Sequence, residues 1–569
     1  MYNNSEEKVI LTKKCKFCNA EFDITNKDEE FYKKISPVFK GKRYNIPSPA
    51  LCPDCRSQRR FSFRNERKLY KRDCDATGKP IISIYSPDKD FTVYESKEWW
   101  TDKWNALDYG ENFDFNKSFF KQFKDLMKKV PQINLHNQNS ENSSYANFAA
   151  DLKNCYLVFG CHWAEDCIYG NFYINTKNST DSFRLFDSEY CYECSICYNV
   201  YKCFFLENSK NCQNCFLGYD LENCEHCIGC AGLRYKKYCI FNKQYTKQEY
   251  EAKKEELKLG NYSNLEEVKK IFNKVKLKTP RKNLNITNSK NCTGDDINNS
   301  KNISNCFSVE EYQNSKHCYI GGRTKDSQDL SFGGKGELFY EGVSVQLDSY
   351  KVIFSTFCNY CNNIYYCQNC YYCENCFGCS GLKNKKYCIL NKQYTKDEYE
   401  ELIPKIIAYM EKLGEWGEFF SSNLSPFGYN ETVANEYYPE TKQSAKRKGL
   451  NWSDYEADIP KVEKIIPAEK LPENIEEIPD DILNWALKCS ITNRPYRIIA
   501  QELDFYRKFN LPIPKKHPDQ RHKERLGERN PRKIFDRNCD KCGRDIQTSY
   551  PENSPEIVYC EDCYNKTFN

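Results

Sequence analysis

The sequence predicts a mainly β, multidomain protein: two short, tight β-solenoid rods with helical excursions, flanked by duplicated zinc-ribbon modules. Three observations carry that prediction. Cysteines recur at multiples of three residues over long stretches, CxxC pairs stand near both ends, and two distant segments repeat one another closely.

The first rod is read from a spacing. Cys155, Cys161, Cys167, Cys191, Cys194, Cys197, Cys203, Cys212, Cys215, Cys224, Cys227, Cys230 and Cys239 all lie multiples of three apart. Random placement gives that agreement about once in half a million trials. Ala146, Ala149, Leu152, Val158, Ser179, Ser182, Leu185 and Leu206 share the lattice, so small or apolar side chains fill it. A period of three fits neither a helix nor a flat strand. It fits a coil that turns four corners in twelve residues and points one small residue inward per side. Cys155, Cys167, Ser179, Cys191, Cys203, Cys215, Cys227 and Cys239 obey the longer period too. At about 4.8 Å per coil, eight coils make a rod of roughly 38 Å. The inward lattice is similar to that of the twelve-residue β-helix of insect antifreeze proteins. The outward Thr-x-Thr rows of that family are absent, so the resemblance implies the fold and not ice binding.

The second rod keeps the lattice but changes phase. Ile297, Ile303, Cys306, Cys318 and Leu330 share one phase; Val352, Cys358, Cys361, Cys367, Cys370, Cys373, Cys376, Cys379 and Cys388 share another. The glycine-rich stretch 331–342 between them reads as a bulged or looped coil. Asparagine often precedes the cysteine (Asn211, Asn223, Asn305, Asn375), which suggests amide ladders at the corners. The rod thiols read first as small packing side chains, with disulfide rungs and metal clusters as alternatives. His162, His226 and His317 fall on outward positions and read as surface residues.

The chain of 569 residues exceeds one core. Its net charge of +5 is small for that length and announces neither nucleic acid nor membrane. No apolar run reaches the eighteen or so residues of a membrane span, and the opening MYNNSEEKVILTKKC lacks the apolar core of a secretory signal. A cytoplasmic setting follows as the expectation, and there 34 cysteines favour reduced thiols and metal ligands over disulfides.

At the N-terminus, Cys15 and Cys18 are followed by Cys52 and Cys55, two CxxC knuckles that supply four thiolates for a closed, tetrahedral zinc site. With the triplet Glu30-Phe31-Tyr32 and the CPDCR motif, this text resembles the probable zinc-ribbon domain of small bacterial proteins, which implies zinc binding and no reaction. The following strip carries Arg56, Arg59, Arg60, Arg64, Arg67, Lys68, Lys71 and Arg72, interleaved with Phe61, Phe63 and Tyr70. Arginine beside aromatics suits phosphate contact and base stacking. A solvated face, or pairing with acids elsewhere in the fold, accounts for the strip equally well.

The C-terminus repeats this module. A displacement of 474 residues matches Cys15, Glu30, Phe31 and Tyr32 with Cys489, Asp504, Phe505 and Tyr506. A displacement of 465 matches Arg56, Arg60, Lys68, Arg72 and Cys74 with Arg521, Arg525, Lys533, Arg537 and Cys539. Each copy keeps a different ribbon. Thr492, His517 and Gln520 replace three ligands of the first site, while Cys539, Cys542, Cys560 and Cys563 complete the second. The N-terminal copy has Cys74, Thr77, Glu95 and Glu98 at those positions. Two zinc ions per chain are expected, with Cys74 and Cys489 as remnants.

Between the modules, 222–251 recurs as 372–400, and Thr246 with Glu249, like Thr395 with Glu398, forms a capping box that starts a helix. Phe119, Phe120, Phe123, Leu126, Met127 and Val130 share the apolar side of a further helix. The segments are then 10–95 (first module, first site intact), 96–140 (helical linker), 141–241 (first rod), 242–284 (helical excursion), 285–390 (second rod), 391–485 (helix and an extended aromatic, proline-punctuated wrap) and 486–569 (second module, second site intact).

No phosphate loop, nucleophile elbow or supported carboxylate pair occurs, so no catalytic residue is named and the chain is expected not to be an enzyme. The whole pattern resembles large cysteine-rich zinc-ribbon proteins of small-genome uncultivated bacteria, a resemblance that brings no activity with it. The leading expectation is a zinc protein that binds nucleic acid, RNA or a ribonucleoprotein, through Arg56, Arg59, Arg60, Arg64, Arg67, Lys68, Arg72, Arg521, Arg525, Arg532 and Lys533. The alternatives are a protein-interaction scaffold with purely structural zinc, and a metal-storage or redox protein using the rod thiols. No membrane and no small-molecule substrate is expected.

Overall fold

The computed structural model describes residues 7–456 and 462–568. The chain is mainly β, 34% strand against 25% helix, and forms two compact units interleaved along the sequence. One combines Met1–Leu135 with Asn285–Tyr455, the other His136–Leu284 with Glu456–Asn569. Each unit therefore holds one terminal module and one cysteine-rich stretch, and the N-terminal module shares its unit with the second stretch rather than the one that follows it. The wrap divides accordingly. Residues up to Tyr455 belong with the first module, where Trp416 Nε1 donates to Asn45 O at 2.9 Å. Residues 462–485 belong with the second.

Both cysteine-rich stretches are parallel ladders with a step of twelve, except at the start of the second, where Ile286 opposes Ile297 and Lys290 opposes Lys301, eleven on. Glu189, Cys191 and Tyr192 stand opposite Tyr201, Cys203 and Phe204; Glu374, Cys376 and Phe377 stand opposite Lys386, Cys388 and Ile389. The residues of the three-residue lattice are the buried row of each stretch.

The backbone explains the period. Every third residue takes a positive φ, as at Asn199 (52°), Lys202 (50°), Phe205 (58°), Asn208 (47°), Asn211 (53°) and Asn214 (52°), and the next residue points inward. That conformation costs a non-glycine residue about 1–3 kcal/mol, and asparagine and aspartate bear it best, which accounts for the asparagine before cysteine. The amides are satisfied by the neighbouring repeat: Asn211 N–H donates to Tyr198 O and Tyr201 N–H to Cys212 O, both at 3.0 Å.

The inward residue needs a different partner, and the lattice supplies it. Cys191 N–H donates to Ser179 Oγ at 3.1 Å, Cys155 N–H to Ser143 Oγ at 2.9 Å, and Tyr173 N–H to Cys161 Sγ at 3.3 Å. Each acceptor lies twelve residues back. The same side chains donate to the carbonyl two residues before them, Ser179 Oγ to Lys177 O at 2.7 Å and Cys161 Sγ to Phe159 O at 3.4 Å. Cysteine here is more than a small filler: it is a small side chain that both donates and accepts. No disulfide forms among the described residues.

The amide ladders are present at the corners. Asn199 reaches Asn211 at 2.9 Å and Asn211 reaches Asn223 at 3.1 Å. In the second stretch Asn291, Asn302, Asn314 and Asp326 form one run at 2.9–3.1 Å.

Two expectations change here. Residues 331–342 are not a loop: Gln328–Gly333 and Gly336–Val343 are strands paired twelve apart. The phase changes later, where Gly336 and Phe339 oppose Ser349 and Val352, thirteen on. The extra residue sits at Leu347 and Asp348, which take successive positive φ of 55° and 53°. The glycines make room instead, since a Cβ at Gly333 or Gly336 would meet the inward Leu330 or Phe339 side chain within 2.2 Å.

Helices decorate the ladders. The capping boxes at Thr246 and Thr395 form and open helices Lys247–Leu257 and Lys396–Leu413. Helix Phe119–Lys129 packs on the second stretch, with Phe119 5.4 Å from Phe377 and 5.2 Å from Tyr366 between ring centres. Among the described residues no helix is long and apolar enough to cross a membrane.

The packing yields a test. Cys212→Ser keeps donor, acceptor and approximate size, so its melting temperature should stay close to the parent's. Cys212→Leu overpacks the row and should cost about 1–3 kcal/mol, read as a lowered melting temperature.

Candidate metal centres

The two modules share four copies of one turn. The first cysteine's N–H bonds the carbonyl five residues on, and its carbonyl takes the N–H four residues on. For Cys15 these are Ala20 (2.9 Å) and Asn19 (3.0 Å), and for Cys539 Arg544 (2.8 Å) and Gly543 (2.9 Å). Cys74 and Cys489, the predicted remnants, keep the same turn with Lys79, Gly78, Arg494 and Asn493. The fourth residue is left-handed each time, with φ of 62° at Asn19, 69° at Gly78, 56° at Asn493 and 72° at Gly543. Hairpin registers agree with the displacements read from sequence: Lys14↔Glu21 answers Lys488↔Pro495, and Tyr70↔Ser83 answers Phe535↔Thr548.

Only the predicted ligand sets converge. Cys15, Cys18, Cys52 and Cys55, and Cys539, Cys542, Cys560 and Cys563, bring their sulfurs within 4.8 Å of one another, and they are the groups that could hold a metal among the described residues. The nearest cross-knuckle pairs are Cys18–Cys52 at 3.6 Å and Cys542–Cys560 at 3.8 Å. A tetrahedral metal with bonds of about 2.3 Å sets its sulfurs about 3.8 Å apart, so both sets fit such an ion. Four thiolates complete its shell and leave no open position.

The local electrostatics favour thiolate at Cys15, Cys52 and Cys539, while desolvation raises Cys18 and Cys563 and the hydrogen bond with Cys52 raises Cys55. Cys52 caps the N-terminus of helix Pro53–Phe61, where the helix dipole supports negative charge. The hydrogen bond from Cys55 brings its pKa down to about 5. At Cys539 desolvation pushes the thiol up, yet the N–H groups of Cys560, Cys542 and Lys541 hold it down at about 6. In the ladders burial likewise drives the thiols of Cys167, Cys191, Cys197 and Cys376 well up, while Cys367, despite its burial, and Cys373 are lowered by hydrogen bonds from neighbouring thiols. Cys194, between Cys191 and Cys197, is lowered despite its desolvation because both neighbours hydrogen-bond to it.

The arginine row is not a surface strip. Arg56 pairs with Asp329 at 2.8 Å, Arg60 with Asp329 and Glu341 at 3.2 Å each, and Arg59 with Glu341 at 2.8 Å and Glu418 at 3.0 Å. Arg64 pairs with Glu66 at 2.9 Å and donates to Ser344 Oγ at 2.6 Å. The other unit repeats the device. Arg521 pairs with Asp181 and Glu502, and Arg525 with Asp181 at 3.2 Å and Glu193 at 2.8 Å. Asp329 with Glu341, and Asp181 with Glu193, are each twelve residues apart, on successive repeats.

The expectation that Arg56, Arg59, Arg60, Arg64, Arg521 and Arg525 contact nucleic acid is therefore corrected. They are buried against the protein's own carboxylates, and withdrawing one strands a buried charge. Arg67, Lys68 and Arg532 are half-buried; Arg72 is half-buried on Asp75 at 3.0 Å; Lys533 is exposed. His317 is corrected as well: it is buried, and burial pushes its pKa down to about 3, with Asp329, Arg56 and Asp28 among the surrounding charges. Asp181, Glu193, Asp329 and Glu341 were not singled out from the sequence. Their signal was a pair of acids one ladder step apart.

No family model and no curated protein matches the chain. Among solved structures, the chain is similar to a Desulfovibrio desulfuricans G20 protein provisionally assigned as an acetyltransferase. The two are 7% identical, with a TM-score of 0.11, covering 50% of this chain and 82% of that one. A likeness at that level carries no argument.

Two tests follow. Elemental analysis should find two metal ions per chain, and Cys18→Ser or Cys542→Ser should each reduce that to one. Asp329→Ala should destabilise its unit by about 3–5 kcal/mol, because it leaves two buried arginines short of a partner. Burial alone would raise the Asp329 pKa, but Arg56 and Arg60 hold it below the ordinary carboxylate value. Its stabilisation is thus present above pH about 4 and fades as pH falls further; chemical denaturation across that range reads it out.

Proposed function

We propose that the chain is a non-enzymatic protein-interaction scaffold in which zinc is structural. On this reading each twelve-residue ladder is a tight β-solenoid rod, and each terminal module is a zinc ribbon fastened to a rod. One observation carries it: in both modules the arginines that would have read phosphate are neutralised by carboxylates of the same unit. Two features support it further. Four sulfurs saturate each metal set, so a zinc ion there offers no site for substrate or water. The ladder thiols, in turn, form no cluster of metal-holding geometry among the described residues, which speaks against metal storage. The proposed setting is the cytoplasm, where such thiols stay reduced.

Gel shifts with single-stranded RNA and duplex DNA test the reading. The scaffold should give no shift at low salt, whereas a nucleic-acid binder would give one whose affinity falls steeply as salt rises. A strong, salt-steep shift would overturn the proposal, as would recovery of stoichiometric nucleic acid with the natively purified protein.

A further inference from the structure

The two modules differ at one sheet edge. In the second, Trp485–Lys488 is a middle strand. It pairs antiparallel with Pro495–Tyr496 and in parallel with Lys464–Pro467, with Ile465 opposite Ala486 and Ile466 opposite Leu487. Displaced by 474 residues, the same strand in the first module is Leu11–Lys14, the inner part of Val9–Lys14. That strand pairs with Glu21–Thr25 on one side, and among the described residues no strand lies on the other. Cys15 N–H bonds Ala20 O, so the alternation of an antiparallel pair turns the backbone groups of Thr12 and Lys14 outward.

The side chains record the difference. Ala486 and Leu487 are fully buried, whereas their counterparts Thr12 and Lys13 are exposed and half-buried, and Val9, Ile10 and Leu11 before them are 56%, 46% and 49% exposed. Lys8, Lys14 and Lys16 are exposed beside them, with Lys13 half-buried on Ser48. Lysine on a free edge is a familiar guard against self-pairing. A guard does not account for three successive exposed apolar residues on that strand, and it disfavours a second copy, which would set lysine against lysine. The same charge favours an acidic visitor.

Resting on the scaffold reading, we infer that the outer edge of Val9–Lys14 is a docking site for an extended, acidic segment of a partner protein. The segment adds as a third strand parallel to Leu11–Lys14, as Lys464–Pro467 does within the other module. In that register an apolar pair at the positions of Glu463 and Lys464 meets Ile10 and Leu11, and a carboxylate at the position of Pro467 meets Lys14. Main-chain bonds to Thr12 and Lys14 supply the affinity common to all such segments, and the apolar pair and acids supply the choice.

The test uses the full, metal-loaded chain and a fluorescein-labelled peptide of residues 462–468 carrying Glu463→Val, Lys464→Val and Pro467→Glu, followed by fluorescence anisotropy. Saturable binding is expected. Thr12→Pro should weaken it at least tenfold while the metal content stays at two per chain. N-methylation of both peptide isoleucines should weaken it as much, with the protein unaltered. No saturation up to millimolar peptide overturns the proposal, and so does binding that ignores both Thr12→Pro and N-methylation. A dimer in sedimentation that Thr12→Pro abolishes would assign the edge to a second copy. Displacement of the peptide by poly(U) would assign it to nucleic acid. Either outcome also overturns the proposal. If the peptide fails while the RNA and DNA shifts remain negative, this edge is removed and the scaffold reading stands.

Discussion

The amide of the inward residue is the constraint on which the ladders depend. A backbone that turns left-handed at every third residue points one N–H per turn toward the row of buried side chains, where no water reaches it. An unpaired buried amide costs about 1–3 kcal/mol. Serine and cysteine solve this, because each accepts that N–H from the next repeat and donates to a carbonyl of its own strand. Alanine, which stands in the same row at Ala146, Ala149 and Ala164, fits the space but offers that amide no acceptor. That requirement, together with limited room, accounts for so many cysteines in a chain that forms no disulfide among its described residues.

The second dependency is the clamp between module and ladder. Two acids one ladder step apart receive two arginines one helical turn apart, Arg56 and Arg60 in one unit and Arg521 and Arg525 in the other. Such a buried network is weak evidence of high stability, since apolar residues of like shape often do as well. It does fix orientation, because any shift along the ladder leaves charges unpaired. Cysteine set and clamp thus have separate tasks: a metal held by the four cysteines would tie each module's own knuckles together, and the clamp holds the module's helix on its ladder.

Much of this was legible in the sequence. The three- and twelve-residue periods gave the inward row and the repeat step, because both follow from local backbone geometry. The CxxC spacing gave both metal sets to the residue. The displacements of 474 and 465 reappear as matched hairpin registers, since a duplicated fold keeps its turns even where Cys74 and Cys489 have lost their partners. The position of the phase change was misread: glycines at 333 and 336 look like loop residues, but they answer the bulk of Leu330 and Phe339 inside.

By itself, then, the sequence determined what depends on neighbours along the chain: the coil period, the knuckles, the capping boxes at Thr246 and Thr395, and the duplication. Only the tertiary structure decided which module meets which ladder, and with it the fate of the arginines. Arg60 and Asp329 are 269 residues apart, and no local pattern foretells such a pairing. It arises when a cationic helix and two stacked acids are excluded from water together, where each charge is stable only beside the other.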